Sequence, residues 1–490
     1  MKEMIIGADL LPEASTDKAL KFQGKDSGNQ RLPKIRFEEF SDYLCGTIGA
    51  SLSGFGQEHT YLNRLAEARF IKFFCRYTTG FEGDAIEHFC YADTGFSLYV
   101  WNGRFYERLT AKEFGLFIRE VLIRIEVGDV YQIRSSEAIA REIISTLLYM
   151  GLEWKPDNRY FVFSNGVLNI DTMELSPHNK GVKTNLVFDF EYEPNAKCDK
   201  FLKVVKFALD KPTEKVLQEL FGYLLFSDAR HQKIGVLLGN GRNGKSVILE
   251  AVSYALGEDR VTHFDLMRLT DPAATVIPHI VGKIANLSYD SGNIMKAGSE
   301  AILKQYAAGE PILCKVMREN PTNTTNYPRS IVAVNELPVS ADKSSGYFRR
   351  FLIIEFPKQV PDKDVNPMLK EELKEERMGI LLWIIAGMKR LLSQGGFSES
   401  RAVDDVLKRY RKENDAVATF LDECDFRKSQ TETIPLSNLY ATWEKWRTEN
   451  GYKSMNSRTF GARLRGLGLD VRKIGGVSKV YLESNADLPA

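Results

Sequence analysis

Residues 239–246, with the sequence GNGRNGKS, constrain the fold of this chain more than any other stretch. They fit the pattern G-x-x-x-x-G-K-[ST] at every fixed position. The apolar run 234–238 before them predicts a buried parallel strand, and the apolar spacing after Ser246 predicts a helix that ends at Gly257. This order of strand, loop and helix is the context in which the pattern binds phosphate. The alternative is a glycine-rich turn that precedes Lys-Ser by chance.

The residue types in this loop indicate a nucleoside triphosphate as the ligand. Glycines let backbone N–H groups turn inward around phosphate oxygens, and the start of the helix adds the positive end of its dipole. Lys245 can reach the β- and γ-phosphates, and the Ser246 hydroxyl can hold Mg²⁺. We therefore expect ATP and Mg²⁺ as cofactors. The expected nucleotide contacts are Gly239, Asn240, Gly241, Arg242, Asn243, Gly244, Lys245, Ser246 and Val247.

Composition excludes several classes of protein. The 490 residues carry a net charge of +1, so any nucleic-acid surface must be a local patch. The six cysteines are scattered without a C-x-x-C pair, which argues against a zinc ribbon or a disulfide framework and favours a reducing cytoplasm. The first residues lack the pattern of a signal peptide, and the most apolar helix pattern, 380–392, is too short to span a bilayer. We expect a cytoplasmic protein without a membrane partner.

Strand and helix patterns alternate after the loop, which predicts an α/β fold with a parallel sheet. These patterns lie at 282–288, 300–308, 330–334, 348–356 and 364–412. Ahead of the loop, Asn102-Gly103 and Asn165-Gly166 each separate two alternating apolar runs. They predict two hairpins with type I′ turns, in a region that combines strands with helices.

Polar residues at the predicted strand ends are candidates for catalysis. Asp290 follows the strand 282–288 and is the best placed acid to order Mg²⁺ and the attacking water; Glu300 and Glu336 are weaker candidates. The alternative for Asp290 is a helix cap or turn residue. Asn335 follows the strand 330–334, where its amide can position water beside the γ-phosphate; the alternative is a turn residue before Leu-Pro.

Arg349 and Arg350 enter the last predicted strand together. Adjacent side chains on a strand point to opposite faces, so one arginine can be structural while the other reaches a nucleotide. If that arginine reaches the γ-phosphate of a neighbouring subunit, it acts as an arginine finger, which contributes roughly 10³–10⁵ in rate. The alternative is an exposed ion-pairing arginine, which contributes about 0–1 kcal/mol to stability.

This set of residues resembles the superfamily 3 helicases, specifically the phage and plasmid primase-helicases with their poxvirus relatives. The resemblance is carried by GNGRNGKS (239–246), GKIANLSYD (282–290), LKQYAAGEPILCKVMRENP (303–321), IVAVNELP (331–338) and YFRRFLIIEF (347–356). It covers residues 200–390 closely and 90–200 more weakly. It implies an AAA+-like P-loop ATPase core with this order of parts: phosphate loop, acidic strand, basic hairpin, sensor asparagine and arginine finger.

The resemblance assigns a role to each matching residue. Asp290 is implied as the acid at the metal, Lys315 and Arg318 as part of a hairpin that grips DNA, and Asn335 as the sensor. Arg350 is implied as the finger ahead of Arg349. The family's acidic strand usually ends with Glu after an acidic or small polar residue, whereas this chain has Tyr289-Asp290, which leaves the division of work at the metal open. Priming members carry paired acids in an additional domain. Residues 1–90 are too short for it and contain no Asp-x-Asp, so we expect no primer synthesis.

The carboxy-terminal residues predict a winged helix. Three helix patterns, at 416–425, 436–449 and 457–467, precede a hairpin pattern at 469–482 that turns at Gly475-Gly476. The third helix would enter the major groove of duplex DNA. The DNA contacts expected here are Arg458, Arg463, Arg465 and Lys473. The alternative is a solvated face or a wing that docks a protein.

We therefore expect four regions: 1–90, helical and of unknown role; 91–200, α+β; 201–412, the superfamily 3 ATPase; and 413–490, the winged helix. The expected function is an ATP-dependent DNA helicase of a phage or plasmid replication system in a bacterial cytoplasm. Its expected partners are single-stranded and duplex DNA, further copies of itself in a ring such as a hexamer, and a primase or polymerase of the same element. The alternatives are a primase-helicase with a divergent priming domain, an origin-binding initiator that uses ATP for assembly, and an RNA helicase.

Overall fold

The computed structural model describes residues 90–93, 95–124, 133–271, 276–289, 298–314, 322–338, 340, 342–452 and 454–484, and elements are numbered along these residues. The chain divides into two compact units, Met1–Pro194 and Asn195–Ala490. The division falls within residues 192–199. No helix of the described residues is both long and apolar enough to cross a membrane.

The described residues of the first unit form two antiparallel sheets and a helix pair. Its elements are β1 (Cys90–Asp93), β2 (Ser97–Trp101), β3 (Tyr106–Thr110), α1 (Ala111–Arg124), α2 (Ile133–Tyr149), β4 (Tyr160–Phe163), β5 (Gly166–Asn169) and β6 (Glu174–Ser176). The sheet orders are β1-β2-β3 and β4-β5-β6. Both predicted hairpins are confirmed, because β2 pairs with β3 and β4 pairs with β5.

The turn type predicted for the first hairpin is wrong. Trp101 pairs with Tyr106, so four residues connect the strands instead of two. The Asn102 side chain accepts hydrogen bonds from the backbone N–H groups of Arg104 and Phe105, at 3.1 and 3.0 Å, and thereby closes its own turn. In the second hairpin Phe163 pairs with Gly166, which moves the two connecting residues to 164–165.

A parallel five-stranded sheet forms the centre of the second unit, and the predicted α/β fold is confirmed to this extent. Its order is β13-β7-β12-β9-β8, with β7 at Ile234–Leu238, β8 at Val261–Thr262, β9 at Ala285–Ser288, β12 at Arg329–Val334 and β13 at Phe351–Glu355. The buried strands β7 and β12 carry apolar side chains on both faces, as a covered parallel sheet requires. A separate antiparallel pair joins β10 (Ile312–Cys314) to β11 (Thr322–Thr324).

Helices cover this sheet. They are α3 (Asp199–Ala208), α4 (Lys211–Tyr223), α5 (Lys245–Leu256), α6 (Leu266–Leu269), α7 (Ile277–Ile280), α8 (Ser299–Ala308), α9 (Ser345–Phe348), α10 (Leu369–Glu375), α11 (Arg377–Gln394) and α12 (Arg401–Glu413). Helices α4 and α11 approach each other through glycines. A Cβ atom at Gly222 would overlap the backbone of Met388, and one at Gly387 would overlap the backbone of Gln218. The two helix backbones are therefore in direct contact.

The carboxy-terminal part of the second unit has its own core, which includes the buried residues Phe420, Trp443 and Phe460. Its elements are α13 (Ala416–Glu423), β14 (Phe426–Lys428), β15 (Ile434–Pro435), α14 (Leu436–Glu449), α15 (Ser457–Gly466), β16 (Val471–Ile474), β17 (Val477–Val480) and β18 (Leu482–Ser484). The three predicted helices and the hairpin between β16 and β17 are confirmed. The sequence patterns did not predict that β15 pairs with β17 or that β14 pairs with β18.

Candidate active site

The loop between β7 and α5 turns through three residues in the left-handed region. Gly241, Arg242 and Gly244 have φ values of 90°, 52° and 83°. Gly244 stands at the N-cap of α5, and among the described residues no side chain caps this helix start. The first N–H groups of α5 therefore point to the loop without a side-chain acceptor, which is the arrangement that helix starts offer to an anion.

Lys245 lies folded onto this loop. Its Nζ atom is 2.5 Å from the Gly239 carbonyl oxygen and 2.8 Å from Asn243 Oδ1, and the residue is 6% exposed. Burial lowers the pKa of Lys245. Asn243 is anchored in turn, because its Nδ2 atom donates to the Phe356 carbonyl at 3.1 Å. An arriving phosphate would replace neutral oxygens with anionic ones around a cation that is already in place.

The Ser246 hydroxyl supplies an oxygen ligand of the kind that a hard cation such as Mg²⁺ prefers. Ser246 is exposed at the start of α5, beside the helix N-terminus that would receive the phosphates. Asp290, the predicted acid, lies outside the described residues. It follows the end of β9 by two positions, after Tyr289, whose ring stacks on His263 with centroids 5.0 Å apart. Among the described residues, no group of three or more His, Cys, Asp or Glu side chains is arranged around a common metal position.

Asn335 and the loop meet at one cleft. The strand order places β12, which ends just before Asn335, between β7 and β9. Asn335 is exposed and lines a cleft of about 590 Å³ together with Gly239, Asn240 and Asn243. The structure thus brings the predicted sensor beside the predicted phosphate loop, at the carboxyl edge of the sheet where such folds bind ligands.

Helix α12 forms a further wall of this cleft, which the sequence patterns did not reveal. Arg409, Tyr410 and Glu413 line it, and Asn414 follows them. Arg409 pairs with Glu355 at the end of β13, with 2.6 Å between Nη2 and Oε1. These residues have the spacing of any amphipathic helix, so the sequence alone does not predict that they line the cleft beside the phosphate loop.

The structure distinguishes the two arginines before β13. Arg350 is 8% exposed; its Nε donates to the Lys304 carbonyl at 3.1 Å and its Nη1 to the Gly346 carbonyl. Burial lowers the pKa of Arg350. Arg349 is exposed. The resemblance favours Arg350 as the finger; a finger must reach another molecule, and of the two side chains Arg349 is the exposed one.

Both arginines lie at the amino ends of the parallel strands, whereas the phosphate loop lies at their carboxyl ends. Phe351 pairs with Ile234, the first residue of β7, whereas the loop follows Leu238, the last. The length of β7 separates the two sets by roughly 17 Å at about 3.3 Å a residue. Neither arginine can therefore serve the phosphate loop of its own chain in this arrangement.

The predicted basic hairpin is described in part. Lys315 and Arg318 lie outside the described residues, between β10 and β11. These strands pair antiparallel, with Cys314 opposite Thr322. The described strands therefore hold the ends of the basic segment side by side.

The predicted DNA contacts of the carboxy-terminal part, three on α15 and Lys473 on β16, fall into two sets. Arg458, Arg465 and Lys473 are exposed. Arg463 pairs with Asp415, whose side chain is 4% exposed, with 2.7 Å between Nε and Oδ2. This pair holds the Arg463 guanidinium against Asp415, and the contact of Arg463 with DNA stays a prediction.

Models of known families match three consecutive stretches of the chain. Residues 72–210 match the family described as D5 N terminal like, and residues 237–350 match a family of unknown function. Residues 412–468 match the Poxvirus D5 protein-like family.

Individual proteins are similar at low identity. A protein of Acanthamoeba polyphaga mimivirus named "Putative helicase" is 22% identical in a match of 329 residues that covers 60% of this chain. The chain spans a third, 33%, of that protein's length. Two apo structures of the NrS-1 C-terminal region show 12% and 11% identity and TM-scores of 0.44 and 0.42, each over 80% of this chain and 96% of theirs. The two D5 matches and the viral relative agree, and together they support a relationship of this chain to the poxvirus D5-like primase-helicase family.

Proposed function

We propose that this chain is a subunit of an ATP-dependent DNA helicase that hydrolyses ATP between neighbouring copies of itself, in a ring that we expect to be a hexamer. One observation carries the ring. The phosphate loop and the exposed Arg349 lie at opposite ends of the strands of the same sheet. Two copies arranged head to tail would bring these two ends of the sheet together, and repetition of that contact gives a ring where the rotation between copies closes.

The loop at 239–246 supports a nucleoside triphosphate as the substrate that this chain hydrolyses. Backbone N–H groups at the start of α5 and the Lys245 ammonium face the same loop, and Asn335 lines the cleft beside it. Mg²⁺ bound by Ser246, with Asp290 as the proposed acid, would neutralise charge on the β- and γ-phosphates. Asn335 would then orient the attacking water.

Two surfaces support nucleic acid as the partner. Lys315 and Arg318 lie in sequence between the paired strands β10 and β11, and we propose that this hairpin grips a single strand. The carboxy-terminal part combines three helices with a hairpin, the arrangement of a winged helix. Arg458 and Arg465 are exposed on α15 opposite the buried Phe460 and Leu464, so this face can meet the phosphates of duplex DNA.

The test measures ATP hydrolysis and strand displacement on a forked DNA with the purified chain. We expect single-stranded DNA to stimulate hydrolysis, and the fork to open only with ATP and Mg²⁺. Hydrolysis without strand displacement would favour an initiator that uses ATP for assembly. Stimulation by RNA in place of DNA would favour an RNA helicase. A chain that stays monomeric with nucleotide and DNA would overturn the ring.

Replacing both Arg458 and Arg465 with glutamine should weaken duplex binding without affecting the fold. Loss of two phosphate contacts should lower affinity at least tenfold and reduce the slope of log K against log salt by about two. The measurement is fluorescence anisotropy across a salt series. The matched control is Arg427→Gln, an exposed arginine on β14 that pairs with Asp425. An unchanged salt slope in the double variant would show that duplex DNA binds elsewhere.

A further inference from the structure

Asn414, between α12 and α13, is one of the residues that line the cleft beside the phosphate loop. Asn414 is 7% exposed and lines the cleft. Its Oδ1 atom accepts a hydrogen bond from the backbone N–H of Ser340 at 3.1 Å, which fixes the orientation of the amide. The Nδ2 atom is buried and has no hydrogen-bond partner among the described residues. A buried donor without an acceptor is costly, so this site favours a ligand that supplies one.

The charges of the residues that line the cleft indicate which part of a ligand lies near Asn414. Glu336, Glu355 and Glu413 line the cleft, against the single arginine Arg409. This excess of carboxylates disfavours phosphate groups here, whereas the helix start and Lys245 favour them at the loop. A nucleotide in this cleft would therefore present its uncharged part, the ribose or the base, towards Asn414. Both carry acceptor atoms that an amide N–H can bind.

Asn414 is also tied to the segment that follows Asn335. The Lys343 ammonium donates to the Asn414 carbonyl and, at 2.6 Å, to the Ser340 carbonyl. The Tyr410 hydroxyl donates to the Pro338 carbonyl at 2.6 Å. The end of α12 and the described residues after β12 are therefore held together by the Ser340 and Lys343 bonds to Asn414 and by the Tyr410 bond, and the Lys343–Ser340 bond stiffens the segment itself.

The next residue connects this assembly to the carboxy-terminal helices. The Asp415 carboxylate accepts a hydrogen bond from the Val417 N–H at 3.2 Å and so caps α13. The same carboxylate pairs with Arg463 on α15. Because Asp415 is buried, loss of one partner would leave an uncompensated charge, which makes the pair a firm connection.

We propose that Asn414 is a contact for the ribose or base of the bound nucleotide, and that it transmits occupancy of the cleft to α15 through Asp415 and Arg463. This inference depends on the proposed function, because it requires that a nucleotide occupies the loop. Asn414 acts by binding and positioning; it does not take part in the chemistry of hydrolysis. Sequence patterns alone identify neither the residue nor its role.

The first test compares ATP with inorganic tripolyphosphate in Asn414→Asp. This change keeps an acceptor for the Ser340 N–H and removes the buried Nδ2 donor. We expect ATP to bind roughly tenfold more weakly by calorimetry, the effect of one lost hydrogen bond to the ligand. Tripolyphosphate, which has neither ribose nor base, should bind as it does to the wild type. Unchanged ATP affinity, or equal loss for both ligands, would overturn the proposal.

The second test measures transmission in Arg463→Gln. Duplex affinity is measured by anisotropy with and without a non-hydrolysable ATP analogue. In the wild type the analogue should change duplex affinity; in Arg463→Gln this change should disappear while ATP affinity is retained. The control Arg427→Gln should keep the change. A wild-type duplex affinity that ignores the analogue, or a variant that keeps the full change, would overturn transmission.

These outcomes separate the two levels of proposal. If the wild-type chain binds no ATP, the proposed function fails. If ATP binds and hydrolysis requires Lys245, but Asn414→Asp binds ATP normally, the proposed function stands and the inference about Asn414 fails.

Discussion

Arg349→Ala should lower ATP turnover by roughly 10³–10⁵-fold while ATP still binds, which corresponds to about 4–7 kcal/mol of transition-state stabilisation. The reason is geometric. Arg349 is exposed at the amino ends of the strands, away from the phosphate loop, so in the proposed ring its guanidinium would act at the site of a neighbouring copy and not at that of its own chain. The measurements are steady-state phosphate release and equilibrium binding of ATP.

Arg350→Ala is the informative comparison, because the two neighbouring arginines should fail in different ways. Arg350 is buried and donates to the carbonyls of Lys304 and Gly346. Its removal would leave buried acceptors unsatisfied, each at about 1–3 kcal/mol, so we expect a lowered melting temperature. If Arg349→Ala keeps full turnover and Arg350→Ala loses turnover with an unchanged melting temperature, the assignment of the finger to Arg349 is wrong.

Lys245→Ala should reduce hydrolysis by roughly 10²–10³-fold or more, the range found when one preorganised donor to developing charge is removed. The Lys245 ammonium already lies against the loop, with its Nζ atom 2.5 Å from the Gly239 carbonyl oxygen. Because the side chain is buried, thermal unfolding must accompany the assay, and Lys245→Met provides a variant that keeps the aliphatic stem. Lys370→Ala is the matched control, since this exposed lysine pairs with Glu250 on the outer side of α5 and should leave turnover unchanged.

Mixing the two inactive variants tests the shared site directly. A Lys245→Ala copy still offers Arg349, and an Arg349→Ala copy still offers Lys245. Some contacts in the mixture therefore combine Lys245 from an Arg349→Ala copy with Arg349 from a Lys245→Ala copy. At these contacts both groups are present, so the mixture should recover part of the wild-type turnover. No recovery from mixtures shown to co-assemble would argue that the two residues do not meet across subunits.

The parts of this site that sequence could predict are local ones. The glycine spacing, the strand before it and the helix after it lie within residues 234–257, and their structure follows from backbone conformations that the sequence itself demands. The parallel sheet could be predicted for a similar reason, since buried strands alternate with helices along the chain.

The parts that sequence could not predict depend on distant partners. Arg463 belongs to a basic run that indicates DNA, yet its guanidinium pairs with Asp415, far away in the chain. Arg350 and Arg349 are identical in type, and only the position of the Lys304 and Gly346 carbonyls makes one of them structural. Asn102-Gly103 satisfies the rule for a type I′ turn, but the Asn102 side chain closes a longer turn instead.

The glycine contact between α4 and α11 limits where this protein can move. Where two helix backbones touch, no layer of side chains is available to slide or change rotamer, and a shift of even a methyl's width meets hard repulsion. The two helices should therefore move together as one rigid body. Any motion that accompanies ATP hydrolysis must then lie elsewhere in the unit. Residues 414–415 are themselves held by hydrogen bonds and by the Asp415–Arg463 pair, so a displacement of α12 would carry α15 with it.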